Sequence, residues 1–97
     1  MARIRWTEES VAWLEEIYNY IAADRPNSAK RVVEGIYEKA KLLEDMLEIG
    51  YWYRSTPDGV IRVLPHGHYR IAYLIHNEDV VDILGVFHGA VDMGRYL

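Results

Sequence analysis

The stretch VIRVLPHGHYRIAYLIHNEDVVDILGVF, residues 60–87, decides the fold. It holds three runs rich in β-branched and aromatic residues, 60–64, 69–76 and 80–87. Such runs favour strands. Pro65-His66-Gly67 and Asn77-Glu78-Asp79 separate them, and both triplets are turn-formers. Sequential strands joined by connections this short pair antiparallel. The stretch therefore predicts a three-stranded antiparallel meander.

Working outward, residues 51–59 read as a loop, with Ser55, Pro57, Asp58 and Gly59 as its punctuation. Before Gly50 the pattern changes to helical spacing. Val11, Leu14, Ile17, Tyr18 and Ile21 recur at intervals of three and four, behind Thr7 as an N-cap and Glu8 and Glu9 in the first turn. This predicts a helix over residues 8–23. Pro26 interrupts it, and Asn27 is placed to cap a second helix over residues 28–48. An apolar stripe runs along that helix from Ala29 to Leu47, and Gly50 sits where a C-terminal cap is expected. So short a connection makes the two helices an antiparallel hairpin. At the N-terminus Ala2, Ile4 and Trp6 alternate with Arg3 and Arg5, the period of a half-buried strand. Ile4 and Trp6 need cover, so this strand is expected to join the sheet. The expected fold is α+β in a single domain, residues 1–97: an N-terminal strand, a helical hairpin packed on one sheet face, and the meander.

The chain has 97 residues, 51% of them hydrophobic, and no cysteine. Disorder is excluded by the apolar content, and disulfides and thiolate metal sites by the missing cysteines. The N-terminal segment lacks the apolar core of a signal peptide, and no stretch reaches membrane-spanning length, so a soluble cytoplasmic protein is expected. A formal net charge of −4 argues against a protein held to nucleic acid by a basic surface.

The last strand is apolar at nearly every position, with Asp82 the exception. An antiparallel sheet with one wet face should alternate. Leu74, Leu84 and Val86 are therefore surplus on an exposed face. Either the C-terminal tail or the first strand covers them, or another chain does.

Several side chains carry chemical potential. His66 and His68 form an H-x-H pair without a third ligand at a suitable spacing, so no metal is expected. His76, before a turn, is expected in solvent. Arg54, Arg62 and Arg70 recur every eight residues, either as surface arginines or as cations for phosphate or carboxylate. Asp82 is a candidate ion-pair partner for Arg70 if the strand register allows it. His88 ends the last strand, and an imidazole is the side chain suited to general acid or base work.

Three stretches together resemble the RelE/ParE superfamily of toxins from toxin–antitoxin pairs. WTEESVAWLEEIYNYIAADRPNSAKRVVEGI is similar to its helical hairpin, GVIRVLPHGHYRIAYLI to its arginine strand and the strand that follows, and VDILGVFHGAVD to its closing strand with histidine and aspartate. The resemblance implies a cytoplasmic, growth-inhibiting toxin without cofactor, bound by a cognate antitoxin in a hetero-oligomer. Such an antitoxin would explain the surplus apolar residues, so Leu74, Leu84 and Val86 on the meander, with Arg95 in the tail, are the expected partner contacts. The superfamily divides. A RelE-like member is an enzyme, a ribosome-dependent mRNA endoribonuclease. That reading would give Arg62 and Arg70 the phosphate and charge-stabilising roles and His88 proton transfer, with Arg95 or Tyr96 beside it, so that Arg62, Arg70, His88 and Tyr96 form the catalytic set. A ParE-like member instead binds DNA gyrase. The acidic balance and the lack of lysines in the loop and strand just before Arg62 favour ParE. Val91 departs from an arginine common before Asp92, which leaves a toxin fold without activity as a third reading.

Overall fold

The computed structural model describes all residues, 1–97. The order of elements is β1 (Arg3–Trp6), α1 (Glu8–Ala22), α2 (Pro26–Lys41), a 3-10 turn (Leu42–Glu44), β2 (Tyr51–Thr56), β3 (Gly59–His66), β4 (Tyr69–Asn77), β5 (Val80–His88) and a second 3-10 turn (Met93–Arg95). The strands form one five-stranded sheet in the order β1-β5-β4-β3-β2. The meander forms as expected, and β1 joins it parallel to β5, with Ile4 opposite Val81 and Trp6 opposite Ile83.

Helix α1 starts where its capping signal lies. Thr7 Oγ1 accepts from the Ser10 amide at 3.1 Å and donates to the Ile83 carbonyl at 2.7 Å. One hydroxyl thus caps the helix and ties its first turn to β5. The start of α2 corrects the expectation. Pro26 does not lie outside the helix with Asn27 as cap; it occupies the first turn behind Arg25. A proline suits that position because its missing N–H has no intrahelical partner there.

The far end of α2 also differs. The helix stops at Lys41 rather than 48, although the apolar stripe continues. Tertiary bonds claim the backbone that follows: the Ala2 amide donates to Glu44 O at 2.7 Å, and the Tyr73 hydroxyl donates to Leu47 O at 2.7 Å. Gly50 is not a helix cap but a point of close approach. A Cβ there would lie 2.7 Å from Val63 O and 2.8 Å from the Tyr73 hydroxyl.

Residues 51–59 are not a loop. Tyr51–Thr56 is an edge strand, paired antiparallel with β3 and bulged between Trp52 and Arg54. Its aromatic residues and threonine favour a strand, and the punctuation belongs to the hairpin turn alone. There the Thr56 hydroxyl accepts from the Asp58 amide and donates to Gly59 O, both at 3.1 Å, and Gly59 takes φ +148°. Strand β3 runs through Pro65 to His66.

Two apolar clusters flank the sheet. On the helix side Ile71, Tyr73, Val81, Ile83 and Val86 pack against Ile36, Ala40 and Leu43, with Leu14 and Ile17 of α1 at the margin. On the other side Val63, Ala72 and Phe87 pack against Met93 of the tail. A bulge in β5 decides the allocation: Tyr73 pairs with Ile83 but Ala72 with Gly85, so Leu84 is the extra residue. Beyond it the facing shifts by one, which turns Val86 to the helices.

Candidate partner-binding groove

The second sheet face is only partly covered. An open groove of about 520 Å³ lies between the start of α1, the β2–β3 hairpin and the tail. Ile61, Leu74, Leu84 and Phe87 line it, with Trp13 at one wall and Tyr96 at another. Trp13 meets the rings of Phe87 and Tyr96 edge-on at 4.8 and 5.0 Å, and Phe87 stacks on Tyr96 at 5.7 Å. Glu9, Arg54 and Asp58 bring charges of both signs to the lining. The geometry suits an apolar segment with a mixed-charge border.

Of the four expected partner contacts, Leu74 and Leu84 line this groove and Arg95 is exposed on the tail. Val86 does not belong with them. It is 0% exposed in the helix-side core, so the expectation that it is surplus on an open face is corrected. The tail covers part of the face, in keeping with one of the two sequence readings, and the groove is the part left open.

The four residues of the RelE-like set do not converge. Arg62 stands opposite Tyr73, on the helix side, and donates to Gly50 O at 2.7 Å. Arg70 stands opposite Phe87, on the groove side, and its Nη2 donates to Val91 O at 2.7 Å, His88 O at 3.1 Å and Gly89 O at 3.3 Å. Arg54 donates to the backbone oxygen of Leu97. All three arginines therefore use donors on backbone carbonyls of their own chain. Tyr96 belongs to the aromatic cluster. His88 is exposed at the sheet end, its ring 6.4 Å from that of His68 and 5.7 Å from Tyr69.

Asp82 is not the partner of Arg70. Its Oδ1 takes Arg5 Nε at 2.6 Å, and its Oδ2 takes Arg5 Nη2 at 3.0 Å and lies 2.6 Å from His76 Nε2. His76 is thus engaged and half-buried rather than solvated. The Arg5 hydrogen bonds hold the Asp82 carboxyl below its usual pKa, against the opposing effect of burial. The trio fastens β1 and β4 to β5. Tyr73, which the sequence did not single out, is fully buried; its hydroxyl accepts from the Gly50 amide at 3.0 Å, and burial pushes its pKa up. A tyrosine in the middle of an apolar strand was the available signal, since a buried phenol needs partners.

No group of three or more His, Cys, Asp or Glu side chains is placed to hold a metal ion. No helix is long and apolar enough to cross a membrane.

The hairpin-on-sheet scaffold places the chain among α+β proteins that bear an open apolar groove. The family described as "ParE toxin of type II toxin-antitoxin system, parDE" matches residues 4–93. The chain belongs to the ParE toxin family. A solved structure described as "Chromosomal ParDE TA system from P. aeruginosa" contains a chain of similar fold, with TM-score 0.75 and 22% identity over 91% of this chain and 96% of that one. No curated protein matches.

Proposed function

We propose that this chain is a cytoplasmic, growth-inhibiting toxin that acts by binding DNA gyrase, and that a cognate antitoxin neutralises it by seating an apolar segment in the groove. Membership of the ParE family supports the toxin role. The observation that favours binding over RNA cleavage is the dispersal of the arginines: Arg62 and Arg70 lie on opposite faces, each engaged with backbone carbonyls. A phosphate clamp needs such cations free and convergent. The antitoxin contacts on this reading are Leu74 and Leu84, with Arg95 at the border.

Expression of the chain without antitoxin tests the reading. Replication should stop before translation does, and the purified chain should inhibit supercoiling by gyrase. Messenger RNA cleavage on translating ribosomes, abolished by Arg70→Ala or His88→Ala, would establish the endoribonuclease instead. Unimpaired growth would show a toxin fold without activity.

A further inference from the structure

The tail, residues 90–97, is attached in an unusual way. The Gly89 amide donates to His68 O at 3.0 Å and the Val91 amide to His88 O at 2.9 Å, and these are the last backbone bonds to the strands. Beyond them the backbone bonds are local: Arg95 to Asp92, and both Tyr96 and Leu97 to Met93. Asp92 caps the small turn by accepting from the Gly94 amide at 3.1 Å. The segment is therefore internally folded yet shares no sheet ladder.

Side chains hold it down. Through one nitrogen Arg70 reaches the Val91 carbonyl in the tail and the His88 and Gly89 carbonyls just before it, and Arg54 holds the oxygen of Leu97. Met93, 6% exposed, enters the cluster of Val63, Ala72 and Phe87. Tyr96 adds its contacts with Trp13 and Phe87 while remaining 57% exposed. The same contact carries a cost. Arg70 Nε is buried beneath the tail without a hydrogen-bond partner, a donor that regains water when the tail lifts. Val91 and Leu97 also pack against that cluster, so side chains rather than a sheet ladder hold the tail. A segment without ladder bonds, and with a penalty relieved on release, belongs to the low-stability end of a protein's local openings.

We infer that residues 90–97 form a strap that detaches from the sheet as a unit while the sheet stays folded, with Arg70 as its latch. Detachment uncovers Val63, Ala72 and Phe87 and merges them with the groove beside Leu74 and Leu84 into one apolar face. Arg70 acts as a positioning residue for the tail. The inference stands independently of the gyrase and antitoxin reading, because its test needs no partner.

The full chain contains no cysteine, so a single introduced thiol reports opening. Ala72→Cys places it under Met93, and Ala40→Cys places it in the helix-side core, positions 0% and 1% exposed in the wild type. If the strap opens, a thiol reagent should modify the Ala72→Cys protein at least about a hundredfold faster than the Ala40→Cys protein. Adding Arg70→Lys, which keeps the charge but not the planar fork, should accelerate only the first, by about tenfold. Met93→Ser should do the same from the strap side, which covers the case of a misfolded Arg70 variant. Equal modification of the two thiols, or no acceleration by either change, overturns the inference.

Discussion

Removing one oxygen atom from the core, in Tyr73→Phe, tests how the unexpected end of α2 is held. The Tyr73 hydroxyl serves two backbone groups, accepting from the Gly50 amide and donating to Leu47 O. The ring stays in place in phenylalanine, so packing is conserved. Gly50 is buried, and its amide would lose its partner, at a cost of about 1–3 kcal/mol. Leu47 O is less enclosed and recovers part of its bond from water. The net loss should be about 2 kcal/mol, a shift of roughly 8–16 °C in Tm for a domain this size. Urea unfolding followed by circular dichroism measures it, as a lower midpoint at unchanged slope. The phenol adds a pH signature. Burial raises its folded pKa, against the Gly50 hydrogen bond and the charge of Arg62. A proton held more tightly in the folded state stabilises fully below the unfolded pKa of about 10, and that contribution is lost as pH rises through the folded value. The gap between wild type and Tyr73→Phe should therefore be constant up to about pH 9 and shrink in more alkaline buffer. A variant as stable as wild type, or a gap that does not change with pH, would refute the account.

Asp82 should show the opposite sign in acid. Its folded pKa is lowered, so its contribution is present above the unfolded value and lost as pH falls through the folded one; the stability advantage of wild type over Asp82→Asn, measured by urea unfolding, should be full at about pH 6 and vanish in strong acid. Two glycines separate backbone strain from collision. Gly67 has φ +57° with nothing within 4 Å of where a Cβ would sit, so Gly67→Ala should cost about 1–2 kcal/mol. At Gly59, φ +148°, a Cβ would lie 2.0 Å from Ile75 O, and Gly59→Ala should lower Tm clearly further; equal shifts would remove the collision argument.

Most of the architecture was legible because local pattern and tertiary role agree there. The meander, the start of α1 and the alternating β1 are examples. The misreadings arise where tertiary contacts override local pattern. The stripe through Leu43, Met46 and Leu47 keeps helical spacing past Lys41, yet contacts from β1 and β4 take the backbone away from the helix. Strand β2 was hidden because its bulge breaks the alternation that marks a half-buried strand. The pairing of Asp82 could not be read at all. It depends on Arg5, brought alongside by a parallel pairing with no local signature, and on a register set by the bulge at Leu84. For the groove, the surplus of apolar residues was visible, but the same bulge withdrew Val86 from it.

The parallel pairing of β1 with β5 also sets a clock. Arg5 and Asp82 are 77 residues apart in sequence. At a synthesis rate of about 5–20 residues per second, the first strand waits roughly 4–15 s for its neighbour to be made. Throughout that interval Ile4 and Trp6 have no strand beside them, and α1 lacks β5, the strand it packs on. Contacts this distant also slow the folding of the finished chain. The newborn protein is thus most adhesive, and most dependent on protection, before its sheet is complete.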